Sequence, residues 1–418
     1  MNQKLFTQIR NEWRINLWLC IELLVVSVLV WYIVDYMYVS YKVHSEPLGF
    51  DVEHCYLIDY GSFKEGDPLY VERSAEELTD DMFKLADRLR MRPEVEAVAY
   101  SANAYPYNGS NSGADIQIDS MKAEGYVIKR MVEPDFFKVF RYSGVNGQTP
   151  EELAKLLTGN DILISDNILG LENPDVDARS LIGHGFREGY DEPGTFGYRI
   201  AGVLNTVKYN DFMQGQMNRS YMMLLPLGWY SGQLELTVRV RDNMDRDFAE
   251  NIMKDAESSL RVGNLYIRKV RSFDEIRQNQ LAGQIRGLKM MMIGMGFLLF
   301  NIFLGLLGTF WFRTQQRVPD LAIRMVNGAT RTDIFRLLMG EGLLLLTIIT
   351  PLALLIDVNL AHAEISTWYW ANGFFSWGRV LLCAAVAWLL LAVMIVAGIA
   401  IPARRAMHIT PATALRDE

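Results

Sequence analysis

A chain of 418 residues has room for two or three domains. Half of its residues are hydrophobic and the mean hydropathy is +0.07, which argues against a purely water-soluble protein. Residues 40–289 carry 29 Lys and Arg against 39 Asp and Glu, a net of −10, and that acidity argues against nucleic acid or anionic lipid as their main partner.

Taken in order, residues 1–16 mix Phe6, Ile9, Trp13 and Ile15 with Lys4, Arg10 and Arg14, the pattern of a helix lying at a membrane surface. Residues 17–39 are long and apolar enough for a first membrane span, with no small-residue cleavage site after them. Glu22 lies inside this span, where an ionisable group is a functional candidate by default, although pairing with a neighbouring helix is the commoner role. Asp35, Trp31, Tyr32, Tyr36 and Tyr38 read as its outer interface, where aromatic rings accumulate.

From 40 to 271 the composition becomes that of a mixed α/β domain. Residues 74–90 have apolar positions at helical spacing behind an acidic first turn, and 93–100 alternate as a strand does. Further strands are expected at 114–118, 124–131 and 265–270, with an amphipathic helix over 247–260. Cys55 is the one cysteine outside the predicted spans, so burial rather than a bridge must hold this core.

Residues 272–312 read as a stalk helix that runs without a breaker into span 2, with residues 35–44 as its expected partner. A cytoplasmic loop follows at 313–336. Span 3 covers 337–357, a short external connection 358–379, span 4 380–401 and a tail 402–418. Gly294, Gly296, Gly305 and Gly308 in span 2, and Gly340 and Gly342 in span 3, are small residues that allow close helix packing. Lys and Arg gather at the N-terminus, in 313–336 and in the tail, which places those three inside and residues 40–271 outside.

The loop has the richest local pattern. Pro319 suits a first helical turn, and Asn327 and Gly328 supply a stop. Leu321, Ala322, Met325 and Val326 share one face, with Arg317, Asp320 and Arg324 on the other. Thr330 and Asp333 have capping-box spacing at the start of a helix that becomes span 3. The apolar side chains of Leu321, Met325, Ile334 and Phe335 are therefore expected to need a cover, either a partner's groove or the neighbouring spans.

This loop resembles the cytoplasmic loop of the FtsX/MacB-type ABC transporter permeases. The residues that carry the resemblance are Asp320 to Arg324 (DLAIR), Gly328, Ala329, Thr330, Arg331, Ile334, Phe335 and Glu341. The segment 198–209 (YRIAGVLNTVKY) is similar to a motif of that family's MacB-like external domain, and the resemblance implies a short helix over 133–140, strands at 161–165, 220–225 and 234–240, and a helix after 165. Residues 401–416 resemble its C-terminal signature through Pro402, Arg404, Arg405, Pro411, Leu415 and Arg416.

The resemblance implies a mechanotransmitting permease subunit in a bacterial cytoplasmic membrane. It would couple ATP hydrolysis on a separate ATPase subunit to movement of a periplasmic domain, for efflux or extraction of a substrate. ATP and Mg would be bound by that partner and no cofactor by this chain. It further implies ATPase contacts at Asp320, Leu321, Arg324, Met325, Gly328, Ala329, Thr330, Arg331, Ile334 and Phe335, with Glu22 and Glu341 as intramembrane acids. The implied partners are a second copy or a homologous permease, membrane lipid and a periplasmic adaptor.

The residues themselves supply no catalytic apparatus. No Gly-Lys dipeptide occurs, so the chain has no phosphate-binding P-loop, and neither an H-E-x-x-H nor a G-x-S-x-G pattern is present. The competing reading is a membrane-anchored sensor or scaffold that controls an external enzyme such as a cell-wall hydrolase. Substrate choice has no signature. Reporter fusions test the topology: Asn108 is expected outside and Gln315 inside, and the reverse at either position would reject the four-span arrangement.

Overall fold

The computed structural model describes residues 13–408 except 110–111, 171–172, 174, 193, 214–217, 231–232 and 366–374, and leaves out the side chains of 13–16, 124–126 and 401–408. The predicted surface helix at 1–16 therefore lies almost wholly outside the described residues, as do Pro411, Leu415 and Arg416. Pro402, Arg404 and Arg405 fall in helical turns whose side chains are not described. The chain divides into two compact units, Val43–Ile285 and the remainder.

The first unit is a ten-stranded α/β domain. Its strands are β1 (Cys55–Ser62), β2 (Val95–Ala102), β3 (Gly113–Ile118), β4 (Met121–Val132), β5 (Asp161–Ser165), β6 (Gly185–Glu188), β7 (Tyr198–Leu204), β8 (Ser220–Leu224), β9 (Glu235–Val240) and β10 (Leu265–Ser272). The order β10-β1-β9-β2-β4-β3-β6-β7-β5-β8 ends with β8 pairing back onto β4. Strands β10, β1, β9 and β2 form an antiparallel sheet. The other six close into a ring. Closure depends on the twelve-residue β4, which pairs with β3 through Met121 to Ile128 and runs parallel to β8 from Ile128 to Val132. A barrel made this way leaves no free edge among its members.

Helix α2 (Ala75–Arg90) shows why local sequence and packing agree. The Ser74 hydroxyl accepts from the Glu77 N–H at 3.2 Å, and Glu77 accepts from the Ser74 N–H at 2.8 Å. Met82, Leu85, Ala86 and Leu89 then bury one stripe in the core beside Val98, Tyr100 and Ile267. Two short helices, α3 (Phe136–Val139) and α4 (Pro150–Leu156), lie with a second cluster that includes Phe136, Phe137, Phe140, Tyr142 and Phe273. Helix α5 (Phe248–Asp255) is shorter than the expected 247–260. The helix expected after residue 165 does not form in its described residues, which make turns and a single 3-10 turn at Ala178–Leu181. Gly170 at φ +59° interrupts it.

The second unit is helical. Long helices are α1 (Trp13–Ser45), α6 (Phe273–Gln316), α8 (Arg331–His362) and α9 (Trp377–His408), with the short α7 (Val318–Val326) between α6 and α8. The four long ones are long and apolar enough to cross a membrane. Trp18, Ile293, Phe297, Leu355 and Val393 point outward from them, a surface suited to hydrocarbon rather than water. Leu23, Val30, Leu306, Leu345, Leu391 and Ile395 fill the interior. Trp31 and Tyr36 of α1 are buried within this unit.

Leu85 is fully buried, and Leu85→Ala should cost the α/β domain about 2–5 kcal/mol, because its site is closed on every side. Urea unfolding followed by circular dichroism measures the loss.

Candidate functional site

In the helical unit, both oxygens of Glu341 on α8 accept from guanidinium groups: Oε1 from Arg313 on α6, and Oε2 from Arg317 at the start of α7. All three side chains are largely buried. Charge-assisted bonds of this kind are strong, and loss of one partner would leave a charge stranded in apolar surroundings. The next residue is a glycine packed against α9. A Cβ on Gly342 would lie 2.8 Å from Ile395 Cγ2 and 2.9 Å from Ile399 Cδ1, so α8 approaches α9 closely at the clamp.

The loop follows from this anchorage. Arg317 precedes α7, and the chain then turns at Gly328 with φ +93°, a conformation that strains any residue bearing a Cβ. The Thr330 hydroxyl accepts from the Asp333 N–H at 3.2 Å, and Asp333 accepts from the Thr330 N–H at 3.1 Å, opening α8. Leu321 and Ile334 are buried among the long helices, and Met325, Ala329 and Phe335 pack partly against the same cluster. Of the two covers expected for this apolar face, the chain's own helical core largely supplies one. The exposed apolar residues are Ile323 at 49% and Val326 at 64%. Beside them Asp320, Arg324, Asn327, Gly328, Thr330 and Arg331 are also exposed.

Two further polar contacts join the long helices. Glu22 accepts from the Thr309 hydroxyl at 3.1 Å, a helix-to-helix pairing rather than a free intramembrane acid. Asp35 takes a two-pronged bond from Arg379, at 2.7 Å from Nε and 2.5 Å from Nη2, with side-chain exposures of 0% and 1%. Asp35 is therefore paired inside the helical unit. The sequence offered a signal here: opposite charges at matching ends of the first and fourth apolar segments need each other.

In the α/β domain, the segment after β7 gathers the ends of both long helices that enter it. Lys208 is buried, and its Nζ donates to the Val43 carbonyl in the last turns of α1 at 2.6 Å and to the Asp211 carbonyl at 3.3 Å. A cation at a helix C-terminus satisfies an otherwise orphaned carbonyl and matches the helix dipole. Burial lowers the Lys208 ammonium from its ordinary range, opposed by the charges of Glu46 and Asp211. His44 stacks on Phe212, and Asp211 binds both Arg277 of α6 and the Tyr107 hydroxyl. Burial pushes the Asp211 carboxyl up, but the Arg277 and Tyr107 bonds outweigh it and hold it below the usual range. Gly49 completes the junction: its φ is +79°, and a Cβ would fall 2.1 Å from the Thr206 carbonyl oxygen. Lys208 belongs to the motif-bearing segment 198–209. Asp211 and Arg277, 66 residues apart, had no local pattern to connect them.

No family model matches the sequence, and no curated protein sequence matches it. Among solved structures, the crystal structure of the extracellular domain of the noncanonic ABC-type transporter YknZ from Gram-positive bacteria is similar at a TM-score of 0.29 and 9% identity. That match covers 51% of this chain and 100% of the other. At that score the likeness carries no structural argument.

Lys208→Met keeps the bulk of the stem but strips the Val43 carbonyl of its donor, and should cost roughly 1.5–3 kcal/mol by chemical denaturation. Asp211 supplies a pH test. Its folded-state pKa is depressed, so its contribution is present above the unfolded value near 3.9 and is lost as pH falls through the folded value. The melting temperature of Asp211→Asn should therefore fall less steeply than wild type between about pH 5 and pH 2.

Proposed function

We propose that the chain is the mechanotransmitting permease subunit of an ABC-type complex in a bacterial cytoplasmic membrane. A separate ATPase subunit binds ATP and Mg, docks on the loop at α7 and the start of α8, and transmits its closure to the α/β domain on the opposite side. The observation that carries this reading is the Arg313–Glu341–Arg317 clamp, which ties the motif-bearing loop to two long helices while leaving Ile323 and Val326 exposed at its tip.

Physical transmission requires stiff elements and firm attachment. Helices α1 and α6 each contain residues of both units, and Lys208 and Asp211 fasten them within the α/β domain. Two copies, or one copy and a homologue, would present two loops to an ATPase dimer. Open space beside Gly294, Gly296, Gly305 and Gly308 on α6 supports close approach of a neighbouring helix. Efflux or extraction of a substrate from the periplasm or outer leaflet, with a periplasmic adaptor where one is used, is the work such a subunit would do.

The docking test uses the exposed tip. Ile323→Glu and Val326→Glu should leave membrane insertion and the α/β domain intact, while abolishing ATPase copurification and permease-stimulated hydrolysis. Gly328→Val should misalign α7 and α8 and uncouple hydrolysis even where the ATPase remains bound, because a β-branched residue fits poorly at positive φ. Wild-type stimulation by all three variants would reject the loop as transmission element and favour a membrane-anchored sensor or scaffold.

A further inference from the structure

A small polar cavity lies within the helical unit between α1, α8 and α9. It is lined by Ser27 and Trp31 of α1, Thr350 and Asp357 of α8, and Ala384 and Trp388 of α9, among others, and its volume is about 20 Å³. Three buried polar atoms on its walls have no hydrogen-bond partner among the described residues: Ser27 Oγ, Trp31 Nε1 and Asp357 Oδ1. Buried polar groups are normally satisfied, so three orphans on one cavity point to something missing between them. One water needs about 10–15 Å³ and two to four polar partners, and this cavity meets both conditions.

The charge balance adds a second requirement. Asp357 is 3% exposed, and its carboxyl feels the negative charge of buried Asp35. Arg379 binds Asp35 through Nε and Nη2, so the described groups contribute one guanidinium for two carboxylates. The other titratable group facing this region is the Cys383 thiol of α9, which hydrogen-bonds Asp35. On α8 itself, His362 is exposed at the helix end. A second carboxylate without a counter-ion is costly in apolar surroundings, and such a group takes up a proton instead.

We propose that Asp357 is a proton-binding site of the helical unit, carrying its proton at neutral pH, with one water bridging it to Ser27 and Trp31. The donor set selects a proton over a metal ion. Trp31 Nε1–H can only donate, and one carboxyl with the hydroxyls of Ser27 and Thr350, the latter already bonded to the Leu346 carbonyl, is too few oxygens for a calcium cage. The proton is exchanged with bulk water, and its loss places a second negative charge beside Asp35, which would loosen the packing of α8 against α1. This inference does not rest on the proposed partner ATPase.

Infrared spectroscopy of the full-length chain in lipid nanodiscs tests it. Wild type at neutral pH should show a protonated-carboxyl band that shifts when aspartate is labelled with ¹³C, disappears in Asp357→Asn, and moves without vanishing in Ser27→Ala. Absence of a label-sensitive band, or its persistence in a folded Asp357→Asn chain, would overturn the proposal. Should Asp357→Asn fail to fold, an aspartate band unmoved by Ser27→Ala overturns it. A sodium-dependent rise in wild-type melting temperature without that band would do the same, assigning the site to a metal cation.

Discussion

Glu341 and the two arginines that hold it set the geometry of the helical unit's most patterned stretch. A carboxylate on α8 with one guanidinium from α6 and one from the start of α7 leaves those elements little freedom to shift independently. Gly342 adds the close approach of α9 at the same level. Without the clamp, α7 would be nine residues joined by a glycine turn, too short to hold a fixed orientation through helix propensity alone. With it, the loop is fixed to the long helices.

The same logic recurs wherever a long helix meets something polar. Glu22 is satisfied by Thr309, Asp35 by Arg379, and the end of α1 by Lys208. Apolar surroundings have no water to satisfy such groups, so each unpaired group is costly and each pair fixes a register between elements. Those pairs make the helices specific neighbours, which burial of leucines alone does not do. The α/β domain uses a different device. Its stability comes from stacked apolar layers and ring closure by β4, with Arg239 buried against the carbonyls of Asp51, Glu53 and Val139 as an internal brace.

Local chemistry was the legible part of this sequence. The acidic first turn after Ser74, the capping box at Thr330, the glycine stop at Gly328 and the four apolar runs each depend on residues within one or two turns, and each appears in the fold. Strand β1 had no assignment, because its apolar and polar residues do not alternate cleanly and both its neighbours come from the far end of the domain. The ring closure was equally hidden, since β4 and β8 are separated by about ninety residues in sequence. At the candidate site the apolar stripe of the loop was visible, but not what covered it. Periodicity shows that Leu321 and Ile334 must be buried and is silent on whether the chain or a partner buries them. Asp35 with Arg379 could have been sought from opposite charges at matching span ends, whereas Asp211 with Arg277 is a pair only three dimensions could make.

The central claim is that the exposed tip of the loop meets a nucleotide-binding partner. Site-specific photocrosslinking from Val326 in the native membrane tests it most directly. The account predicts a single protein adduct that binds ATP and is lost on Ile323→Glu. Adducts to lipid alone, or to a protein without nucleotide affinity, would contradict it.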